Sequence, residues 1–351
     1  MINKLGMPKW GLSMTEGKLL DWLVEEGAEV KVGQELAEVE TEKITGAVES
    51  TADGVLRRRV GQVGEVIPVG GLLGVIADAS DSDADIDAFV AEFQASFVPG
   101  EAEEEEAGPE TVTVGAGTLR FLRQGDGDPV VLLHGFGGDL NNWLFALPAL
   151  AAEHTVYALD LPGHGGSVKD VGAGDVDALA GAVEQFLESQ SLERAHLVGH
   201  SLGGLVACEL ARRGHARTLT LIAPAGFGEV NREYIDGFIA AESRRELKPV
   251  LQMLFADESL VTRQLVDDVL KYKRIDGVKE ALERLAGAAF TSAELPSDVP
   301  TLVVWGAADR VVPPADLEGA HVLDGAGHSP HMEAAGEVNR LLEGFLAKSL
   351  S

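Results

Sequence analysis

Hydrophobic and polar positions follow three different rhythms along the chain. Up to residue 77, short apolar runs alternate with glycine-bearing turns, the mark of short strands. GKLLDWLVEEGAEVKVGQELAEVE, from Gly17, repeats as GVLRRRVGQVGEVIPVGGLLGVIA, from Gly54, at an offset of 37. Leu19 falls on Leu56, Gly27 on Gly64, Gly33 on Gly70, Leu36 on Leu73 and Val39 on Ile76. Two such halves predict a small all-β sandwich with internal two-fold symmetry. Next, Ile86, Phe89, Val90, Phe93 and Phe97 recur at the spacing of one helix face. Asp85 is the expected N-cap and Pro99-Gly100 the stop. From about residue 111, the strands PVVLLHG, TVYALD, RAHLVGHS, RTLTLIAP, TLVVWG and AHVLDG alternate with helical stretches such as DVDALAGAVEQFLESQ. That alternation predicts a mainly parallel sheet wrapped by helices. Helical runs over 226–295 interrupt it and predict a cap.

Charge sharpens the division. The chain of 351 residues has a net charge of −29, which argues against nucleic-acid binding through a cationic surface. Residues 78–110 hold twelve acids and no Lys or Arg, a composition break expected of a linker. The expected domains are therefore 1–77, an acidic linker with a short amphipathic helix over 78–110, and 111–351 with its cap at about 226–295. The linker helix is expected to dock on the C-terminal domain, or else to recognise a partner subunit. Cys208 is the only cysteine, so no intrachain disulfide forms; its position after Ser201 reads as core. Neither a signal-peptide pattern nor a membrane-length apolar run occurs, so a cytoplasmic protein is expected. No metal ligand set is assigned.

Two places carry chemistry. Lys43, in VETEKITGAVES, falls between the two halves of the N-terminal repeat, where a hairpin tip would project. Taken alone, the local string favours an ordinary surface lysine. The second is GHSLG at 199–203, a G-x-S-x-G at a strand-to-helix junction. HGFGG (134–138) supplies backbone N–H groups for an oxyanion, with Phe136 and Leu202 as the expected donors. WGAADRVVP places Asp309 after a late strand, and DGAGHSPHME places His328 in the following loop. Ser201 would attack, His328 would move its proton, and Asp309 would hold the imidazole tautomer. His134, His164, His200 and His331 have structural readings beside them. Arg244, Arg245, Lys248, Lys271, Lys273 and Arg274 in the cap read as solvated helix faces, or as contacts for the phosphates of coenzyme A.

MPKWGLSMTEG, EEGAEVKVGQELAEVETEK and the second half-repeat make residues 2–77 resemble a lipoyl domain of 2-oxo-acid-dehydrogenase-type complexes. The resemblance implies lipoic acid in amide linkage to Lys43. Biotinyl domains share the fold but flank their lysine with methionines; here Glu42 and Ile44 stand there. The order Ser, Asp, His, with DLPGHGGS at 160–167, makes residues 115–348 resemble α/β-hydrolases. The expected fold class is thus multidomain: an all-β lipoyl sandwich, then an α/β-hydrolase fold with a helical cap.

The combination resembles the acyltransferase subunits of acetoin dehydrogenase complexes. It implies acetyl transfer from the lipoyl arm to coenzyme A, with thiamine-diphosphate-dependent and flavin-dependent dihydrolipoamide dehydrogenase subunits as partners. Other acyltransferase subunits use an H-x-x-x-D-G motif and a basic subunit-binding domain. HVLDG (321–325) is one residue short of that motif, and the basic domain has no counterpart here. The alternative is an esterase or thioesterase that its lipoyl domain recruits to a complex, with water as acceptor.

Overall fold

The computed structural model describes residues 2–10, 14–41, 45–98 and 108–348. The chain divides into two units, Met1–Glu106 and Ala107–Ser351.

In the first unit the strands are β1 (Asn3–Gly6), β2 (Glu16–Trp22), β3 (Glu29–Val30), β4 (Glu35–Glu40), β5 (Thr45–Glu49), β6 (Gly54–Arg59), β7 (Val66–Pro68) and β8 (Leu72–Ala77). They form two four-stranded sheets, β1-β8-β6-β3 and β5-β4-β2-β7. Exchanging β1–β4 with β5–β8 turns one order into the other, so the sequence repeat is a structural two-fold. The repeat's paired leucines, Leu19 with Leu56 and Leu36 with Leu73, are all fully buried between the sheets. Gly27 and its counterpart Gly64 have φ of 92° and 89°. A side chain is strained there, which is why glycine returns at the same turn.

Helix α1 (Asp83–Ser96) begins earlier than its apolar period suggests, and Ser82 caps it in place of Asp85. Ser82 Oγ accepts the Asp85 N–H at 3.2 Å and donates to the Asp85 carboxylate at 2.7 Å. Pro99 and Gly100 lie outside the described residues. The helix packs on the sandwich itself: Ile86 is fully buried against Leu72, Val75 and Ala77. A strand of a two-sheet sandwich leaves its outer face open to solvent, yet all six residues of β8 are buried because α1 closes that face. Arg57 to Asp83 (3.0 Å) and Arg58 to Asp87 (2.9 Å) border the contact. The linker's acids thus have partners in the RRR run of β6, a pairing that separate readings of the two segments do not reveal.

The second unit contains β9 (Glu110–Val114), β10 (Gly117–Gln124), β11 (Asp128–Leu133), β12 (His154–Leu159), β13 (Ala195–His200), β14 (Ala216–Ile222), β15 (Thr301–Gly306) and β16 (His321–Leu323). They form one sheet in the order β16-β15-β14-β13-β11-β12-β10-β9. From β12 to β16 every neighbour pair is parallel, while β9 and β10 add antiparallel strands at one edge. The six strands expected from the sequence are all present; β9 and β10 were not anticipated. The parallel strands β12 and β13 are buried along their whole length, as a sheet covered on both faces requires. Helices α2 (Ala146–Ala151), α3 (Val176–Ser189) and α4 (Leu202–Arg212) follow β11, β12 and β13. The cap is α5 (Arg232–Ala240), α6 (Arg244–Gln252), α7 (Arg263–Lys273) and α8 (Val278–Ala288), inserted between β14 and β15. The short α9 (Pro330–Glu333) and α10 (Ala335–Lys348) end the unit. Among the described residues, no helix is long and apolar enough to cross a membrane.

Candidate active site

Parallel strands β11, β13, β14 and β15 bring their C-terminal ends to one rim of the sheet, where sites form in such folds. Ser201 lies between β13 and α4 at φ 51° and ψ −114°, outside the regions a non-glycine residue favours. Such a conformation costs on the order of 1–3 kcal/mol and persists only where the surroundings over-determine it. They do so here: Ser201 donates its N–H to Ile222 O at 3.0 Å, and its carbonyl accepts from Gly204 N (3.0 Å) and Ala225 N (3.1 Å). The flanking glycines have steric reasons. A Cβ on Gly203 would overlap the Leu133 carbonyl, and one on Gly199 the carbonyl of Gly203.

Asp309 follows β15 and His328 follows β16. His328 donates its Nδ1–H to Asp309 Oδ2 at 2.8 Å, which leaves Nε2 as the unprotonated ring nitrogen. The carboxylate is held by three further donors: Trp305 Nε1–H at 3.1 Å, and Val311 and Val312 N–H at 2.8 and 2.9 Å. Both side chains are almost wholly buried. His200, the chain neighbour of Ser201, donates from Nε2 to His328 O at 2.8 Å, and its ring centroid lies 4.8 Å from that of His328. His200 thereby ties the serine turn to the histidine loop.

Two loops are cross-braced below the rim. His134 Nε2 accepts the Leu161 N–H at 3.1 Å, and His164 Nε2 accepts the Gly137 N–H at 3.1 Å. Each ring's Nδ1–H donates to a nearby carbonyl, Gly135 for His134 and Pro162 for His164. Burial lowers the pKa of both rings, which keeps them neutral and able to accept. With Gly137 so engaged, the Phe136 N–H has no acceptor among the described residues. Leu202 opens α4, where the first N–H groups lack intrahelical partners. These two donors are therefore unspent. Burial also holds His200 well below the ordinary range and His331 at about 3. Cys208 is buried and its thiol is pushed up to about 12, so it is core and not a reactive group.

Sequence reasoning missed the residues that join cap and site. Glu333, on α9, accepts backbone N–H groups from Gly327, from Ala256 (2.6 Å) and from Asp257 (3.2 Å). Arg310, next to Asp309, donates to Gln252 O and to Phe255 O (2.9 Å) and pairs with Glu258 at 2.9 Å. The far end of α6 is thus fastened to the loops that carry Asp309 and His328. Asp160, fully buried, likewise gathers Arg120 Nε, Leu140 N–H (2.8 Å) and Gly166 N–H (2.7 Å). Only the recurrence of acids inside motif strings (DLPGHGGS, HSPHME) hints at them. Of the cap cations, Arg244 pairs with Asp267, while Lys273 donates to the carbonyls of Phe238 and Ala241 at the end of α5.

Lys43 lies outside the described residues. On either side of it, Glu40 of β4 pairs with Thr45 of β5.

The chain matches the alpha/beta hydrolase family over residues 130–341 and the family described as biotin-requiring enzyme, a biotin/lipoyl module, over 3–76. A dihydrolipoyllysine-residue acetyltransferase component of the acetoin cleaving system from Pseudomonas putida is 46% identical across 99% of each chain. The corresponding component from Cupriavidus necator is 46% identical over 97% of this chain and 96% of its own. Among solved structures, a meta-cleavage product hydrolase from Pseudomonas fluorescens IP01 aligns with a TM-score of 0.61 at 25% identity. That alignment covers 70% of this chain and 99% of the hydrolase.

Proposed function

For a chain that belongs to the family of dihydrolipoyllysine-residue acetyltransferase components of acetoin cleaving systems, we propose that acetyl passes from the lipoyl arm through Ser201 to coenzyme A. The lipoyl module and the family together mean that the enzyme is an acyltransferase with covalently attached lipoic acid. The finer reading is ours: Lys43 carries that group, and Ser201, His328 and Asp309 perform the transfer. When attached, lipoic acid presents the acyl group as a thioester.

Ser201 Oγ attacks the acyl carbonyl while His328 Nε2 takes the hydroxyl proton. Asp309 keeps Nδ1 protonated and stabilises the imidazolium. The N–H groups of Phe136 and Leu202 donate to the developing oxyanion, a contribution of several kcal/mol for a pre-set pair. His328 returns its proton to the departing sulfur, leaving an acetyl ester on Ser201. The thiol of coenzyme A then gives its proton to His328 and attacks the ester. His328 hands that proton to Ser201 Oγ as acetyl-CoA leaves. Enzymes of the thiamine-diphosphate and flavin classes fit as the partners that load and reoxidise the arm.

One observation carries this reading: the 2.8 Å His328–Asp309 bond sits at the rim of a hydrolase sheet on a chain that also holds a lipoyl module. The test is intact mass spectrometry of lipoylated, acetylated protein before and after coenzyme A. Loss of the acetyl mass with formation of acetyl-CoA is expected. Release of acetate alone would favour the recruited hydrolase.

A further inference from the structure

The cap contains a cleft of about 330 Å³ where the ends of α5, α7 and α8 meet. Its polar lining is three cations, Lys273, Arg274 and Lys279, against one carboxylate, Glu242. That is a local reversal of sign in a chain of net charge −29. Ile239, Leu270 and Leu282 give it an apolar wall. The three cations are not equivalent. Lys273 is engaged within the protein, donating to the carbonyls that end α5, and it holds one side of the cleft in place. The side chains of Arg274 and Lys279 make no hydrogen bond or ion pair among the described residues. Two cations beside an apolar wall, neither closed into an ion pair among the described residues, fit a flat ring carrying phosphate.

The cleft is also connected to the site. The Lys273 ammonium lies 5.3 Å from the centroid of the Phe238 ring. Phe238 in turn packs edge-on against Phe136, at 5.8 Å between ring centroids. One aromatic ring therefore separates Lys273, at the edge of the cleft, from the residue whose N–H is free for an oxyanion. An acceptor whose thiol and phosphates are joined by a long pantetheine arm needs a phosphate site set back from the serine in this way.

We propose that this cleft binds the phosphorylated adenosine end of coenzyme A, with Arg274 and Lys279 on its phosphates and Ile239, Leu270 and Leu282 against the base. The assignment rests on coenzyme A being the acceptor.

The test combines binding with selectivity. Calorimetric titration of the full-length, lipoylated protein with the bisphosphorylated adenosine fragment of coenzyme A reads the cleft without any turnover. Acetyl transfer to coenzyme A and to pantetheine, which lacks the nucleotide, gives a ratio of kcat/KM values. An Arg274→Ala/Lys279→Ala double variant should bind the fragment about tenfold more weakly or worse, since each ionic hydrogen bond lost is worth that much. Its preference for coenzyme A over pantetheine should fall by a similar factor. Lys248→Ala, which removes a cap cation outside the cleft, should change neither. Unchanged fragment affinity and unchanged preference in the double variant, with acetyl-CoA still formed, would overturn the assignment and leave the acyltransferase route standing. Acetate as the only product would instead refute the acceptor, and the fragment titration would still decide whether the cleft binds nucleotide.

Discussion

Replacing Glu333 with glutamine tests whether the cap aligns the loops of the proposed Ser201–His328–Asp309 site. The carboxylate faces three N–H donors, from Gly327 beside His328 and from Ala256 and Asp257 at the end of the cap's second helix. Glutamine keeps one oxygen but turns an N–H₂ towards donors that have nothing to accept. Hydrogen bonds to a charged group are worth about 1.5–3 kcal/mol each, so the gross loss is several kcal/mol. Burial works the other way: it raises the Glu333 pKa against the pull of the amides, so a neutral side chain recovers desolvation cost. The net loss is placed at about 1–2 kcal/mol. If half of it is felt where His328 meets the transition state, kcat drops about two- to fivefold, at 1.36 kcal/mol per decade. Glu333 does not line the cleft proposed for coenzyme A, so the KM for coenzyme A should move less than twofold. The assay is steady-state acetyl transfer with the unfolding midpoint measured in parallel. A variant that loses stability but keeps wild-type kcat would show that the clamp is merely structural.

Further expectations follow from neighbouring groups. Asp309→Asn places an amide among four N–H donors and lets His328 take the wrong tautomer; kcat should fall by about four orders of magnitude with little change in fold, by the logic of such triads. Ile86→Asp should release the linker helix from the sandwich at a cost of about 3 kcal/mol or more, seen as faster amide exchange in Leu72–Ala77 while the C-terminal unit is unaffected. Cys208, with its thiol at about 12, should resist iodoacetamide at pH 8 in the native protein and react on unfolding. His196 is held at about 4 against 6.5 unfolded, so the unfolded chain binds its proton first as pH falls. Its own share of the stability lost between pH 6.5 and 4 should be about 3 kcal/mol, so His196→Gln should make the slope shallower by that amount and leave the part due to the other buried histidines.

The two-fold of the sandwich was readable because its leucines and glycines recur in register, and the elbow because G-x-S-x-G stood where a strand gave way to a helix. The helix over 83–96 was legible as a period, but its docking face was not. Ile86 needs an apolar strip, and a sequence does not say that β8, buried within one sheet, leaves one free. Its true start escaped because the first turn, Asp83-Ala84-Asp85, carries no apolar signal, and Ser82 and Asp85 are both good caps. The β9–β10 hairpin was missed although ETVTV alternates, since its partner strand TLRFLRQ mixes charge with burial. Asp309 and His328 came from motif order alone. Glu333, Arg310 and Asp160 act through backbone amides from segments remote in the chain, and no local pattern encodes such partners.

The most direct test of the route is rapid-quench peptide mapping of full-length, lipoylated protein given an acetyl group on its arm. Without coenzyme A, the acetyl mass should leave the peptide containing Lys43 and appear on the peptide containing Ser201, and added coenzyme A should clear it as acetyl-CoA. Transfer to coenzyme A at the wild-type rate in Ser201→Ala, with no acetyl ever found on the Ser201 peptide of the parent protein, would contradict the account.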